Sequence, residues 1–227
     1  MHLRFLVSLH TSFHAFWGAA LILVFWVPQA LAQSAPEMSQ LQLQARLLEA
    51  QSNPALGQKL YAQGKKVAAV CANCHGHQNG SVLWEVPYLE GQNPAYLVEQ
   101  VRQFSQGIRK NTFMEGILKA LHRDEMVGMV LFYAQEKLAP RKPIDTALLE
   151  KGKAYYARIC IHCHQADGHG SERLPRIAGQ HLGYVEMTLK RYRDGSSARS
   201  DANMAFVTQN MSDEDIRAVA TYLETMP

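Results

Sequence analysis

Little in this sequence is charged, almost nothing in it signals β-strand, and cysteine is confined to two short segments. Charged residues make up 19% of the chain, and 23 basic against 20 acidic side chains leave a formal charge of +3. That is too weak to argue for nucleic acid as a partner. The near-absence of strand signals excludes sheet-based architectures and leaves an all-α class. At 227 residues, the chain is too long for one small helical module of about 100 residues and suits two.

Charge is scarcest at the start. Arg4 is the one formally charged residue before Glu37, and Ala15 to Val27 is apolar apart from Gly18. Pro28 breaks any helix, and Ala30-Leu31-Ala32 has the small-x-small form that signal peptidase reads, which places a cut before Gln33. Residues 1–32 therefore read as a secretory signal peptide. The alternative is an uncleaved anchor, because Phe5 to Leu31 carries no Lys, Arg, Asp or Glu and is long enough to cross a bilayer core of about 30 Å. Either form sends the rest of the chain across a membrane.

Four cysteines in an exported chain would ordinarily suggest disulfides. Here all four lie in two pentapeptides, Cys71-Ala72-Asn73-Cys74-His75 and Cys160-Ile161-His162-Cys163-His164. Both have the C-x-x-C-H form of c-type haem attachment. Two cysteines three apart on a helical turn can form thioethers to the two vinyl groups of one porphyrin, and the adjacent histidine then lies under the iron. A thioredoxin-like pair needs no following histidine and sits in a βαβ setting that is missing here. A zinc site would bring two such pairs to one metal, whereas these are about ninety residues apart, each with its own histidine.

The two halves are an internal repeat of that period. Pro87-Tyr88-Leu89-Glu90-Gly91-Gln92 aligns with Pro175-Arg176-Ile177-Ala178-Gly179-Gln180, Tyr96 and Phe104 with Tyr184 and Tyr192, Gly107 with Gly195, and Met114 with Met204. A period this long fits two globular modules rather than a solenoid. The register selects the sixth iron ligands. Met126 and Met129 lie among apolar residues at helical spacing and read as core. Met211 precedes the N-cap Ser212 and is placed as a hydrophobic staple on Ile216. Met114 and Met204 fall in polar stretches that read as loops, from which a thioether can reach iron opposite histidine. Methionine opposite histidine raises the haem potential and leaves no open site for a substrate.

Helices are expected near residues 55–63, 67–75, 94–106 and 123–136, and near 146–164, 182–194 and 212–225. Pro140 and Pro143 mark a stiff link. The expected organisation is a signal peptide over 1–32, an extension over 33–53, a first domain over 54–139, a linker over 140–144 and a second domain over 145–227. Leu41, Leu47 and Leu48 could form one face of an extra helix packed on the first domain.

Other residues are weaker candidates. His77, His122, His162, His169 and His181 receive no role, and His162 competes poorly with Met204 as an iron ligand. Arg102, Arg109, Arg191 and Arg199 could pair with haem propionates or be solvated surface charges. Trp84, Tyr88 and Tyr156 read as packing in the haem pockets.

The paired C-x-x-C-H motifs, the Pro-x-x-x-Gly-Gln blocks, the Tyr-bearing helices, Met114 and Met204, and Ser212-Asp213-Glu214-Asp215-Ile216 together resemble the dihaem cytochromes of the cytochrome c4 type, over about residues 57–226. The resemblance implies two tandem class I cytochrome c domains related by a pseudo-twofold, two haem c groups, and iron ligation by His75 with Met114 and by His164 with Met204. It further implies that the carbonyls of Pro87 and Pro175 accept from the second ring nitrogen of each histidine, orienting the ring and tuning the iron. Such proteins are periplasmic electron carriers, commonly toward haem-copper terminal oxidases. The chain departs from the pattern at Gly76 to Glu85, which lacks the Asp-Gly continuation seen at Asp167-Gly168.

The reading is therefore a carrier between a respiratory dehydrogenase and an oxidase or reductase, with redox proteins as its partners and no enzyme activity of its own. A dedicated haem subunit of one dehydrogenase complex is the runner-up. A dihaem peroxidase would need a displaceable iron ligand, and Met114 and Met204 argue against it.

Overall fold

The computed structural model describes residues 40–76, 83–138, 141, 145–196 and 201–227. The expected signal peptide lies outside these residues, as does the expected linker apart from Arg141. Every regular element among the described residues is helical, and none is long and apolar enough to cross a membrane. The first half contains α1 (Gln40–Ser52), α2 (Pro54–His75), α3 (Pro94–Ser105), α4 (Thr112–Lys119) and α5 (Arg123–Gln135). The second contains α6 (Thr146–Tyr155), a π-helical turn (Tyr156–Cys160), α7 (Ile161–His164), α8 (Leu182–Arg193), α9 (Ala202–Thr208) and α10 (Asp213–Thr225). Each half has its own core, the first built on Leu60, Val98, Val127 and Val130 and the second on Tyr156, Ile216, Val219 and Leu223.

In each half the helix that ends on the C-x-x-C-H motif crosses the last helix at close range. A Cβ added to Gly64 on α2 would lie 1.9 Å from the backbone carbon of Gly128 on α5, and one added to Gly152 on α6 would lie 2.0 Å from the carbonyl oxygen of Ala218 on α10. Gly64 therefore does not divide α2. The expected break between 63 and 67 is absent, because a glycine inside a helix is tolerated where another backbone must approach. Gly64 precedes Cys71 by seven residues and Gly152 precedes Cys160 by eight. The extra residue is taken up by the π turn, which widens one turn of helix and keeps the crossing and the motif in the same relation in both halves.

The extension does form a helix on the first half, but with a different face. Leu43, Leu47 and Ala50 are buried, whereas Leu41 and Leu48 are exposed. Docking of α1 explains why α5 is buried from Met126 through Tyr133, apolar all round as a fully covered helix must be. At the position of buried Val127, the uncovered α10 carries the exposed Arg217. Arg46 of α1 donates to both carboxylate oxygens of Asp124 on α5, at 2.9 and 2.7 Å. This bidentate pair holds the Asp124 carboxyl below its ordinary range.

A carboxyl lowered on folding contributes stability above its unfolded pKa of about 3.9, and the contribution is lost as pH falls through the folded value. Asp124→Asn should thus lower stability by about 1 kcal/mol, the scale of an exposed pair, at pH 7. The difference should shrink as pH falls below about 3.9, the unfolded value, in paired urea titrations.

Candidate functional site

The two attachment motifs end the helices that lead into them, and both histidines are buried, His75 at 8% and His164 at 7% exposure. The chain then turns through a positive φ, 76° at Gly76 and 68° at Gln165. His75 Nδ1 lies 2.8 Å from the carbonyl oxygen of Pro87, and His164 Nδ1 lies 3.2 Å from that of Pro175. A carbonyl can only accept, so Nδ1 carries the proton and Nε2 keeps its lone pair. Burial is the first cause that pushes both imidazoles down, which keeps them neutral at neutral pH. A fixed tautomer with a free lone pair is what a metal-binding histidine requires.

No disulfide joins the cysteines. Beside Cys71 lies a groove of about 290 Å³ lined by Val67, Val70, Ile117, Leu121 and the stem of Lys66. Met129 reaches within 3.8 Å of the Cys71 sulfur and, like Met126, is core. An apolar groove that takes in the first cysteine of the motif, together with a buried histidine whose Nδ1 is held by a carbonyl, fits a covalently held porphyrin.

Met114 and Met204 do not lie in loops. Each is the third residue of a short helix, α4 or α9, whose N-cap side chain accepts from the methionine N–H: Asn111 from Met114 and Asp201 from Met204, both at 3.0 Å. Both side chains are half-buried. Met114 packs against the first core, and Met211 is buried with Ile216 in the second. Glycines at positive φ, Gly91 and Gly179, donate to the carbonyls of Tyr133 and Leu223, each at 2.8 Å. The Pro-x-x-x-Gly-Gln blocks are thus pinned to the last helix of each half in the same way.

Those blocks also meet each other. Gln180 Oε1 accepts from Tyr88 N–H at 2.8 Å and its Nε2 donates to Tyr88 O at 3.0 Å. Gln92 Oε1 accepts from Arg176 N–H at 2.7 Å and its Nε2 donates to Arg176 O at 2.9 Å. Since Tyr88 aligns with Arg176 and Gln92 with Gln180, the contact is a pseudo-twofold one, in which each patch serves as both donor and acceptor. The two N–H groups of Asn93 Nδ2 are shared among the carbonyls of His169, Ser171 and Leu174, at 3.0, 2.6 and 2.9 Å.

Trp84 and Tyr88 belong to this contact. Trp84 lies over Gly183, and both rings meet His181 edge-on at 5.9 and 5.2 Å. Arg141 hydrogen-bonds the Tyr88 hydroxyl and pairs with Glu224 at 3.5 Å. Tyr156 lies in the second core.

Of the four arginines weighed as propionate partners or solvated surface charges, the three among the described residues have protein partners. Arg102 is held by Glu99 at 2.6 and 2.8 Å. Arg109 lies over Phe104 and donates to Gln100 and to the Tyr184 hydroxyl. Arg191 lies 3.7 Å from Glu85, and Arg199 is outside the described residues. Gln92, Gln180, His181 and Arg141 received no role from the sequence, although the duplication of the glutamines was a visible signal.

The cytochrome c family profile matches residues 149–227. A cytochrome c4 of Thiocapsa roseopersicina is 32% identical over 172 residues, covering 70% of this chain and 88% of that relative. The chain belongs to the cytochrome c4 family. A thiosulfate dehydrogenase electron acceptor of Stutzerimonas stutzeri (strain A1501) is 32% identical over 195 residues, covering 78% of this chain and 89% of the relative. The crystal structure of reduced recombinant cytochrome c4 from Pseudomonas stutzeri superposes with a TM-score of 0.65 at 27% identity, covering 73% of this chain and 97% of that one. The fold is two tandem class I cytochrome c domains, the cofactors are two haem c groups, and the work is electron transfer between redox proteins rather than catalysis.

Proposed function

We propose that the chain is a periplasmic carrier that takes electrons from a respiratory dehydrogenase and passes them to a terminal oxidase or reductase. Residues 1–32 export it, 54–139 and 145–227 each form one haem domain, and 140–144 link them. Cys71 and Cys74 hold one haem, with His75 and Met114 as its axial ligands. Cys160 and Cys163 hold the other, with His164 and Met204. The observation that carries the reading is the repeated pair of buried histidines, each with Nδ1–H committed to a proline carbonyl and the lone pair of Nε2 left to bind a metal.

Bound haem supplies an iron couple that exchanges one electron. The protein holds each imidazole in one tautomer, limits access of water by burial, and offers a thioether that favours the reduced metal. With both positions filled, reduced protein should give a low-spin spectrum at both haems and bind carbon monoxide poorly. Strong carbon monoxide binding at either iron would contradict the carrier reading.

A second reading, a dedicated haem subunit of one dehydrogenase, draws support from the relative named as an electron acceptor of thiosulfate dehydrogenase. Stable capture of one dehydrogenase by the tagged holoprotein favours this reading, and transient reduction by several favours the general carrier.

A further inference from the structure

The hydrogen bond that orients each buried histidine does not end at the proline carbonyl. Pro87 C=O and Tyr88 N–H belong to one peptide group. The first accepts from His75 Nδ1 at 2.8 Å and the second donates to Gln180 Oε1 at 2.8 Å. In the other half, Pro175 C=O accepts from His164 Nδ1 at 3.2 Å while Arg176 N–H donates to Gln92 Oε1 at 2.7 Å. Hydrogen bonds in a chain polarise one another, so an amide that donates through N–H accepts more strongly at C=O.

The geometry points to a crossed relay: Gln180, in the second half, sets the strength of the hydrogen bond at His75, and Gln92, in the first half, sets that at His164. Each iron is thus tuned by a side chain of the opposite domain. Gln92 and Gln180 are positioning residues, acting on the metal through a peptide group and an imidazole. The inference rests on the proposed ligation by His75 and His164.

The relay is built rather than incidental. Both glutamines are buried, at 7% and 6% exposure. Each Oε1 also accepts from the N–H of the next residue, Asn93 at 3.0 Å and His181 at 2.8 Å. Backbone N–H groups only donate, so these bonds fix which end of each amide is oxygen. Parting of the two halves breaks both relays together, which ties domain docking to both potentials.

A stronger acceptor gives imidazole more imidazolate character and stabilises oxidised iron, so removing the glutamine should raise the potential. The test is redox titration of haem-loaded Gln180→Met and Gln92→Met, followed by paramagnetic proton NMR. Each haem's signals are assigned through the cysteine protons of its own motif. Gln180→Met should raise the potential of the haem on Cys71 and Cys74 by about tenfold in its equilibrium constant, about 59 mV for one electron. It should also move the His75 ring signals and leave the second haem nearly unchanged, and Gln92→Met should do the reverse. Gln180→Glu, which keeps an acceptor opposite Tyr88 N–H, should bring the His75 ring signals back toward wild type.

A shift confined to the variant's own domain, an equal shift at both haems, or no shift would overturn the relay. If the wild-type rings of His75 and His164 show no hyperfine shift, the ligand assignment fails, and the relay with it.

Discussion

Gly64→Ala should cost the folded protein about 4 kcal/mol or more, whereas Gly116→Ala should cost nothing. The added methyl at position 64 would lie 1.9 Å from the Gly128 carbonyl carbon, 2.0 Å from its oxygen and 2.3 Å from Met129 N. All three are backbone atoms that no rotamer change can move. The helices must separate along a crossing that carries Leu60, Ala68, Val127 and Val130. Overpacking of a core costs about 1–3 kcal/mol when side chains can yield, and a backbone clash lies beyond that range. Losses above 4 kcal/mol are uncommon and mark a specific defect, and the whole stability of a protein is about 5–15 kcal/mol. Gly116 sits on α4 with nothing within 4 Å of the added carbon, so alanine there gains helix propensity of up to about 1 kcal/mol. Urea unfolding of the haem-loaded protein, followed by far-UV circular dichroism, measures both.

Met204→Ala should leave two haems attached but lower the potential of the second by an amount on the order of 0.2 V, part of the ~0.8 V that axial ligands span. Attachment depends on Cys160 and Cys163, which this change does not touch. Without the thioether the reduced iron loses a soft ligand that favours it, and the open position should bind carbon monoxide. The local backbone should survive, because the Asp201 cap acts through the backbone N–H of residue 204, which alanine keeps. A spectroelectrochemical titration resolving the two haems reads the shift, and an unchanged second potential would mean that another residue holds the sixth position.

Most of the helical frame was legible because apolar spacing survives in any single sequence. Of the apolar stripe formed by Tyr96, Leu97, Val101 and Phe104 on α3, the last three are buried and Tyr96 is half-buried. What the sequence hid were effects of one element on another. Gly64 looks like a break until Gly128 is placed against it. Leu41 and Leu48 look as apolar as Leu43, and only the docking of α1 by Arg46 onto Asp124 decides which face turns inward. The stretches around Met114 and Met204 are polar and short. The cap signals Asn111 and Asp201 were present, but helices of eight and seven residues have too few turns to show a stripe.

The motifs and the repeat were local facts, and they carried the site. As aromatics, Trp84 and Tyr88 suggest packing in the haem pockets, yet both lie where one half meets the other. Nothing in one repeat alone indicates that contact. It becomes visible only when Gln92 and Gln180 are found to hold each other's neighbouring strand of chain.

Covalent attachment of two porphyrins, one on each motif, can be tested directly. The chain should be produced in a host competent in cytochrome maturation, extracted with acid acetone and weighed intact by mass spectrometry. The account predicts a coloured protein that retains two haem masses, falling to one when Cys160 and Cys163 are both replaced by alanine. A colourless product, pigment lost to the solvent, or a mass without haem would contradict it.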